Sequence, residues 1–235
     1  MKKLIYALLF TLGNLSLSSQ IIESVHVIDL ETGIYEQQIS NFTVTGEYRN
    51  GNKEGIWKAT FPSGLLYEVN YFTKGMRNGL HLLFNRSGYL EKQANYSNDL
   101  LEGELIVWKP GGRMLLLENY KKGELDGARK VFYERGQVQE ESNYKAGFRQ
   151  GKTSWFDEEG HLIATYNYNA GLFEGVQQTY YPDGTVKSSR SYIANKLNGM
   201  AKDYYPNGNI QAEANYINDK IEGNWIKYDV NGNKK

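Results

Sequence analysis

Aromatic and glycine residues return along the chain at a constant interval of 24 positions, without insertion or deletion. An aromatic residue opens each of eight periods: Tyr48, Phe72, Tyr96, Tyr120, Tyr144, Tyr168, Tyr192 and Tyr216. A first glycine follows seven residues later and a second one nine residues after that, as in Gly55 and Gly64. Self-similarity at a fixed period of this size is typical of a repeat architecture.

Each period carries two further hydrophobic columns. Five residues after the first glycine stand Phe84, Trp108, Phe132, Phe156, Tyr180, Tyr204 and Tyr228, with Thr60 as the exception in the first period. Two residues after the second glycine stand Leu66, Leu90, Met114, Val138, Leu162, Val186 and Ile210. No 3.6-residue stripe is sustained between these columns, and the glycines follow too closely for a helix of useful length. The pattern therefore predicts strands.

The two glycines predict two turns in each period. Phe61-Pro-Ser-Gly64 combines a proline, which fixes one backbone angle, with a glycine for the left-handed one, and so do residues 181–184 and 205–208. The segments 123–127 and 147–151, which run from glycine to glycine, are predicted to form a longer turn. Each unit is then strand, tight turn, strand and longer turn.

The fold class that follows is all-β, an elongated single-layer antiparallel sheet of about eight 24-residue β-hairpin repeats. About sixteen strands, at roughly 4.8 Å from strand to strand, would make the sheet about 75 Å long. Such a sheet has no single centre, so each unit has to bury its apolar side chains on its neighbours. The aromatic columns suit that purpose, since a fully covered ring buries on the order of 150–250 Å².

The chain ends differ from the repeats. Residues 1–19 combine Lys2 and Lys3 with an apolar run and small residues, which predicts a signal peptide cleaved near Ser18 to Gln20 and a secreted or periplasmic location. Residues 20–47 are predicted to form a cap, with one hairpin around Glu31-Thr32-Gly33 and a degenerate repeat after it. Residues 48–235 would hold the eight repeats.

The repeats resemble the MORN-repeat variant family. The matching pattern is Y-x-x-G-x-x-x-G-x-x-x-x-aromatic-Y-P-D/N-G, clearest over 168–184 and 192–208, and the resemblance extends over roughly 46–232. Segments 76–81 and 108–112 depart from it. The resemblance implies a hairpin-repeat scaffold with a role in recognition, similar to the bacterial group called YwqK-type antitoxins.

Composition excludes several classes of partner and of site. Lys plus Arg and Asp plus Glu are both 27, so the formal net charge is zero and nucleic acid is not expected as a partner. The chain has no cysteine, which removes disulfides, thiol nucleophiles and thiolate metal sites.

Two sets of residues are candidate metal ligands. His26, His81 and His161 stand at unrelated phases of the repeat, so we expect them not to meet at one metal. An acid or amide precedes each first glycine: Glu54, Asn78, Glu102, Asp126, Gln150, Glu174, Asn198 and Glu222. A calcium ladder on this column would need ligands about 2.4 Å from an ion, whereas equivalent strands repeat at about 10 Å. We predict no metal and no cofactor.

The candidate binding residues are two columns. One is the tyrosines Tyr96, Tyr120, Tyr144, Tyr168, Tyr192 and Tyr216; the other is the asparagines that precede them, Asn95, Asn119, Asn143, Asn167 and Asn215. The rings serve either packing or ligand stacking. The asparagines serve strand-end contacts, a side-chain ladder, or the binding of an extended peptide or glycan.

No enzyme motif accompanies these columns. The chain lacks the nucleophile elbow, the P-loop and the dinucleotide fingerprint, and Glu140 and Glu141 would point to opposite faces of a strand. We predict a non-enzymatic scaffold that binds a protein or an extended polymer along its sheet. The alternative is a scaffold at a membrane surface, which needs a basic face. The position after each opening aromatic varies: Arg49, Thr73, Ser97, Lys121, Lys145, Asn169, Ile193 and Ile217.

Overall fold

The structure, a computed structural model, describes residues 21–25 and 31–235, and within these it contains strands and turns. The predicted signal peptide, 1–19, and His26 lie outside the described residues. The strands are Gly33–Ile39 (β1), Phe42–Arg49 (β2), Asn52–Thr60 (β3), Leu66–Thr73 (β4), Met76–Phe84 (β5), Leu90–Ser97 (β6), Leu100–Leu101 (β7), Gly103–Trp108 (β8), Met114–Lys121 (β9), Glu124–Phe132 (β10), Val138–Lys145 (β11), Phe148–Arg149 (β12), Gly151–Phe156 (β13), Leu162–Asn169 (β14), Leu172–Phe173 (β15), Gly175–Tyr180 (β16), Val186–Ile193 (β17), Lys196–Tyr204 (β18), Ile210–Ile217 (β19) and Lys220–Lys227 (β20).

All of these strands form one antiparallel sheet in which each strand pairs with the next along the chain. Glu102, Gln150 and Glu174 each interrupt a strand for one residue, so the twenty segments form seventeen strands. The prediction of an all-β, single-layer sheet of hairpin repeats is confirmed. Within the described ranges there is no helix that could cross a membrane.

The tight turn with the second glycine has the predicted geometry. The Gly64 N–H donates to the Phe61 carbonyl oxygen at 2.9 Å, and the Phe61 N–H donates to the Leu65 carbonyl oxygen at 2.8 Å. Gly64 has a φ of 83°, a left-handed conformation that glycine adopts without steric cost. Across this turn the second aromatic column pairs with the apolar column, as in Phe84 with Leu90.

The prediction of a longer turn over 123–127 and over 147–151 is wrong. The chain reverses at two residues, Lys122 and Gly123, whose φ values of 51° and 83° belong to a type I′ hairpin turn. Strand β10 then continues from Glu124 through the rest of this segment, with a bulge at Gly127. The two-residue turn is favoured here because its backbone twist matches the right-handed twist of the two strands that it joins.

The first glycine of each period lies in a bulge inside a strand. Leu125 pairs with Tyr120 and Arg129 with Glu118, so three residues, 126–128, oppose Asn119 alone. Gly127 has a φ of 123°, and a Cβ on it would lie 3.0 Å from the Asn119 Cβ. The glycine is needed both for its backbone angle and for the space that the asparagine occupies.

Hydrogen bonds between successive units hold the two-residue turns in line. The Gly123 N–H donates to the Leu101 carbonyl oxygen at 2.9 Å, and the Gly147 N–H to that of Leu125 at 2.8 Å. Each turn is therefore attached to the strand that follows the turn of the preceding unit, as well as to its own strands.

The N-terminal units hold the larger buried cluster, formed by Ile22, Val25, Tyr35, Val44, Tyr48, Trp57, Ala59 and Phe72. Residues 21–25 lie across this part of the sheet, with Ile22 completely buried. A separate cluster follows farther along the chain, at Ala94, Tyr96, Leu105, Val107 and Leu116. Strand β1 pairs with β2 through a turn at Ser40 and Asn41. The first arm of the hairpin predicted around 31–33 lies in 26–30, outside the described residues.

Candidate functional site

The opening aromatics of all periods lie on one face of the sheet, which we call the tyrosine face. Tyr96 pairs with Leu101 and Tyr144 with Arg149 in directly opposed positions, and cross-strand partners share a face. The tyrosine face also carries a middle row that changes chemistry from unit to unit: Trp57, Asn70, His81, Ala94, Leu105, Glu118, Arg129, Ser142, Thr153, Tyr166, Gln177, Arg190, Ala201 and Ala214. A constant aromatic row thus borders a variable row.

The exposure of the predicted tyrosines changes along this face. Phe72 and Tyr96 are buried, at 3% and 8% exposure, whereas Tyr120, Tyr144, Tyr168, Tyr192 and Tyr216 are half-buried. Burial raises the pKa of Tyr168 to about 12, and it also raises the pKa values of Tyr144 and Tyr192. These phenols stay neutral at physiological pH, and they offer ring surface and a hydroxyl rather than charge.

The predicted asparagines lie on the opposite face, which we call the asparagine face, because neighbours in a strand point to opposite sides. Asn119 Nδ2 donates to the Ala128 carbonyl oxygen at 2.9 Å, and Asn167 Nδ2 donates to that of Val176 at 2.5 Å. Asn215 Nδ2 bonds Glu222 Oε2 at 2.6 Å. At Asn119 and Asn167 the amide spans the bulge of the adjoining strand, whereas Asn215 bonds the side chain of its cross-strand partner. The tyrosine and asparagine columns therefore cannot line one common surface.

The second aromatic column also lies on the asparagine face. Val176 pairs with Ser191 of the asparagine column, and Tyr180 follows four residues later in the same strand. The Tyr180 hydroxyl lies 3.0 Å from Thr165 Oγ1 and donates to Gln178 Oε1 at 3.1 Å. The two aromatic columns thus back opposite sides of one sheet.

A cluster of charges that the sequence analysis did not single out lies on the tyrosine face. Arg129 Nε donates to Glu118 Oε1 at 2.8 Å, and its Nη1 donates to Glu140 Oε1 at 3.0 Å. Arg149 Nη1 lies 2.9 Å from the same Glu140 oxygen. The signal in the sequence was spacing, since Glu118 and Glu140 precede a column tyrosine by two and four residues and must share its face.

Burial opposes the ionisation of Glu140, but the hydrogen bonds from Arg149 and Ser142 outweigh it and hold the pKa of this carboxyl below its ordinary value. Glu141 points the other way and accepts from Lys130 Nζ at 2.7 Å. The prediction that these adjacent carboxylates lie on opposite faces is confirmed.

Next to the charged cluster, five rings of the tyrosine face form a continuous patch. Trp155 packs on Tyr166 with centroids 4.9 Å apart, and Phe173 lies 5.0 Å from Tyr168 and 5.4 Å from Tyr192. The Arg149 guanidinium lies 5.3 Å from the Tyr144 ring centroid, 5.6 Å from that of Trp155 and 5.7 Å from that of Tyr168. Arg149 therefore joins the charged cluster to the aromatic patch.

The acid and amide column connects one unit to the next. Glu54 Oε2 accepts the Lys74 N–H at 2.9 Å, Glu102 Oε2 accepts the Lys122 N–H at 2.8 Å, and Glu174 Oε2 accepts the Ala194 N–H at 3.0 Å. Gln150 Oε1 does the same for the Ala170 N–H at 2.9 Å. In these four bonds the donor is the first residue of the next two-residue turn, so these four side chains have a structural role.

The two described histidines lie far apart in the fold. His81 is buried on the tyrosine face in β5, and His161 is exposed in the turn after β13. The His161 Nδ1 lies 3.1 Å from Asp157 Oδ2. Asp157 Oδ1 accepts the backbone N–H groups of Glu159 and His161, which is the turn-capping arrangement that Asp229 repeats with Asn231 and Asn233.

The repeats match a known family model. The model of the MORN repeat variant matches residues 125–146, 149–170, 173–194 and 197–218. Each matched segment is one hairpin closed by the tight four-residue turn, from the row opposite the tyrosines to the start of the next two-residue turn. No curated protein is significantly similar to the chain. The finer resemblance to YwqK-type antitoxins stays a prediction. Residues 125–218 thus contain four tandem hairpins that match the MORN repeat variant.

Proposed function

We propose that this repeat scaffold is non-enzymatic and binds a partner protein along its tyrosine face. The observation that carries the proposal is that the rings of this face are buried in the first units and half-buried in the later ones. Residues 21–25 lie over its first units, whereas the rings from Tyr120 onward are half-buried, with Arg149 beside those of Tyr144 and Tyr168. Half-exposed tyrosine, tryptophan and arginine are the side chains that protein interfaces favour.

The chemistry of the face supports a protein as partner. Its arginines are balanced by carboxylates, as in Arg129 with Glu118 and Arg190 with Asp203. A surface with paired charges does not offer the excess of positive charge that nucleic acids or anionic lipids require. A variable middle row beside constant rings suits recognition of a specific sequence.

The absence of catalysis is part of the proposal. The cleft at the turn edge, about 370 Å³ in volume, brings together Glu23, Lys53, Arg77 and Asp99. Arg77 pairs with both Glu23 and Asp99, at 2.5 and 3.3 Å. Groups held in such pairs stabilise the fold, and they are not poised as a nucleophile with its base.

Export belongs to the same proposal. Cleavage near Ser18 to Gln20 would leave residues 21–25 in place on the tyrosine face. N-terminal sequencing of the protein from culture medium or periplasm should give a first residue between 18 and 21. An intact Met1 in the cell interior would contradict export.

Site-specific photo-crosslinking tests the proposed surface. A benzophenone amino acid at position 192 reports on the tyrosine face, and one at position 178 is the matched probe on the asparagine face of the neighbouring strand. We expect a protein adduct at 192, saturating with light dose, and little or none at 178. Adducts only at 178, or equal adducts at both positions, would show that the tyrosine face is not the interface.

A further inference from the structure

Residues 21–25, which form a turn, show how the tyrosine face holds a short piece of chain. Ile22 and Val25 are 0% and 3% exposed. Glu68 Oε2 accepts the Ile22 N–H at 3.2 Å, and Lys53 Nζ donates to the Ile22 carbonyl oxygen at 2.5 Å. The next side chain, Glu23, pairs with Arg77 at 2.5 Å. One carboxylate thus binds the backbone, and one arginine binds the acidic side chain that follows.

The same pair of residues returns three periods later. A shift of 72 positions, three times 24, takes Glu68 to Glu140 and Arg77 to Arg149. Phe72 becomes Tyr144 under this shift, so the ring beside the pair is kept. No other shift by whole periods places both a glutamate and an arginine at these two positions.

The local bonding of the two carboxylates is also the same. Asn70 Nδ2 donates to Glu68 Oε1 at 2.7 Å, and Ser142 Oγ, at the matching position, donates to Glu140 Oε1 at 2.8 Å. In the first copy the second oxygen, Oε2, accepts the Ile22 N–H. In the second copy the bonds from described residues converge on Oε1, which leaves Oε2 to accept a further N–H.

The second copy is accessible. The Arg149 side chain is 24% exposed and that of Glu140 is 12% exposed, and the half-buried rings of Tyr144, Trp155 and Tyr168 surround the guanidinium. Arg149 and Glu140 pair directly with each other at 2.9 Å. An arginine has five N–H donors, so it can bind an incoming carboxylate without releasing Glu140.

Two differences define what the second copy accepts. Leu125 stands at the position of Lys53, so a ligand carbonyl has no lysine there. Arg129 stands at the position of Trp57 and brings a second positive charge beside Glu140. Recognition at this place rests more on the acidic side chain of the ligand and less on apolar burial.

We propose that Glu140 and Arg149 form a docking site for a short turn-forming segment of a partner protein in which an apolar residue is followed directly by an acidic one. This inference rests on the proposed binding function of the tyrosine face and adds the chemistry of the ligand. The carboxylate of the ligand binds Arg149, the preceding backbone N–H binds Glu140, and the apolar side chain packs on Tyr144 and Tyr168. The site lies on the same face as the one that residues 21–25 cover, three repeats farther along the sheet.

A peptide copied from the chain tests the site. The probe is fluorescein-labelled Gln-Ile-Ile-Glu-Ser-Val, the sequence of residues 20–25, and binding to the full-length protein is followed by fluorescence anisotropy. The attached segment competes for the first copy at high local concentration, so the free peptide reports mainly on the second copy. We expect saturable binding that weakens at least tenfold in Arg149→Gln and with a peptide whose glutamate is replaced by glutamine.

Arg190→Gln is the matched control, since Arg190 lies on the same face and pairs with Asp203. The affinity of the Arg190→Gln variant for the peptide should stay within twofold of that of the unmodified protein. The altered peptide tests the carboxylate requirement even where Arg149→Gln lowers stability, because the protein is unchanged.

Three results would overturn the inference: no saturation up to about 1 mM peptide, equal binding of both peptides, or binding that Arg149→Gln leaves intact. If any of these occurs while position 192 still gives its photo-adduct, the tyrosine face binds a partner of other chemistry. Loss of the adduct as well would reject the proposed function itself.

Discussion

At the scale of single residues, one glycine that belongs to neither of the two glycine columns has a packing role. Gly46 lies against the ring of Trp57, and a Cβ on it would be 2.1 Å from Trp57 Cδ2. Trp57 is completely buried and donates from Nε1 to the Glu47 carbonyl oxygen at 3.1 Å. The matching positions of the next units hold Asn70 and Ala94, so only the unit with the tryptophan needs glycine here.

Gly46→Ala is therefore expected to lower the free energy of unfolding by about 1–3 kcal/mol, the usual cost of overpacking. Urea denaturation followed by tryptophan fluorescence measures the change. In a Trp57→Leu background the same substitution should cost much less, because the ring that it meets is gone. Equal costs in both backgrounds would show that the contact is not the cause.

At the scale of the elements, each hairpin is attached to its neighbours by more than strand pairing. Side chains of the acid and amide column accept the N–H of the first residue of the next two-residue turn. The N–H of the second residue of that turn donates to a carbonyl oxygen of the preceding unit. Where that residue is Asn195 or Asp219 instead of glycine, its side chain also accepts a backbone N–H of the preceding unit, from Phe173 at 2.5 Å or Leu197 at 2.8 Å. The turn edge of the sheet is thus a ladder of side-chain and backbone hydrogen bonds.

Glu174→Ala removes one step of this ladder and should lower the free energy of unfolding by about 0.5–1.5 kcal/mol, the net worth of one hydrogen bond. Glu174→Gln should stay close to the unmodified protein, because Gln150 fills the same role with an amide oxygen. Urea denaturation followed by circular dichroism compares the two variants. If glutamine proves as costly as alanine, the carboxylate has a role other than accepting the Ala194 N–H.

At the scale of the whole molecule, the described residues form two separate buried clusters along one sheet rather than a single core. Each unit depends on the units beside it, and the N-terminal units gain a further cover from residues 21–25. A repeat array of this kind has a stability that is close to a sum of unit and interface contributions.

Deletion of residues 172–195, one full period, should leave a folded protein. Lys196 would follow Gly171 as Leu172 does now, so every column stays in phase. We expect a β-type circular dichroism spectrum and a urea transition of smaller m-value, because less surface is exposed on unfolding. The matched deletion of 172–183 removes half a period, puts the columns out of phase, and should abolish the cooperative transition. If the two deletion variants proved equally stable, the stability of the protein would not be a sum of contributions from 24-residue units.

The sequence alone determined the repeat, the strands and one of the two turns. A 24-residue period with paired aromatic and apolar columns has few structural solutions, and Pro with Gly at Phe61–Gly64 specifies a turn by backbone sterics. It did not determine the place of the other turn. Lys122-Gly123 was a local signal for a two-residue hairpin, but Gly127 competed with it, and glycine suits a bulge as well as a turn.

Only the tertiary structure decided what the columns face. Strand register fixes which side chains share a side of the sheet, and register depends on the bulges, which shift the pairing in every unit. The opposite faces of the tyrosines and asparagines follow from strand alternation alone, whereas the pairing between units placed side chains of the acid column on the next turn. The meeting of Glu118, Arg129, Glu140 and Arg149 likewise follows from pairing between strands, since contacts across a sheet join residues that the sequence keeps apart.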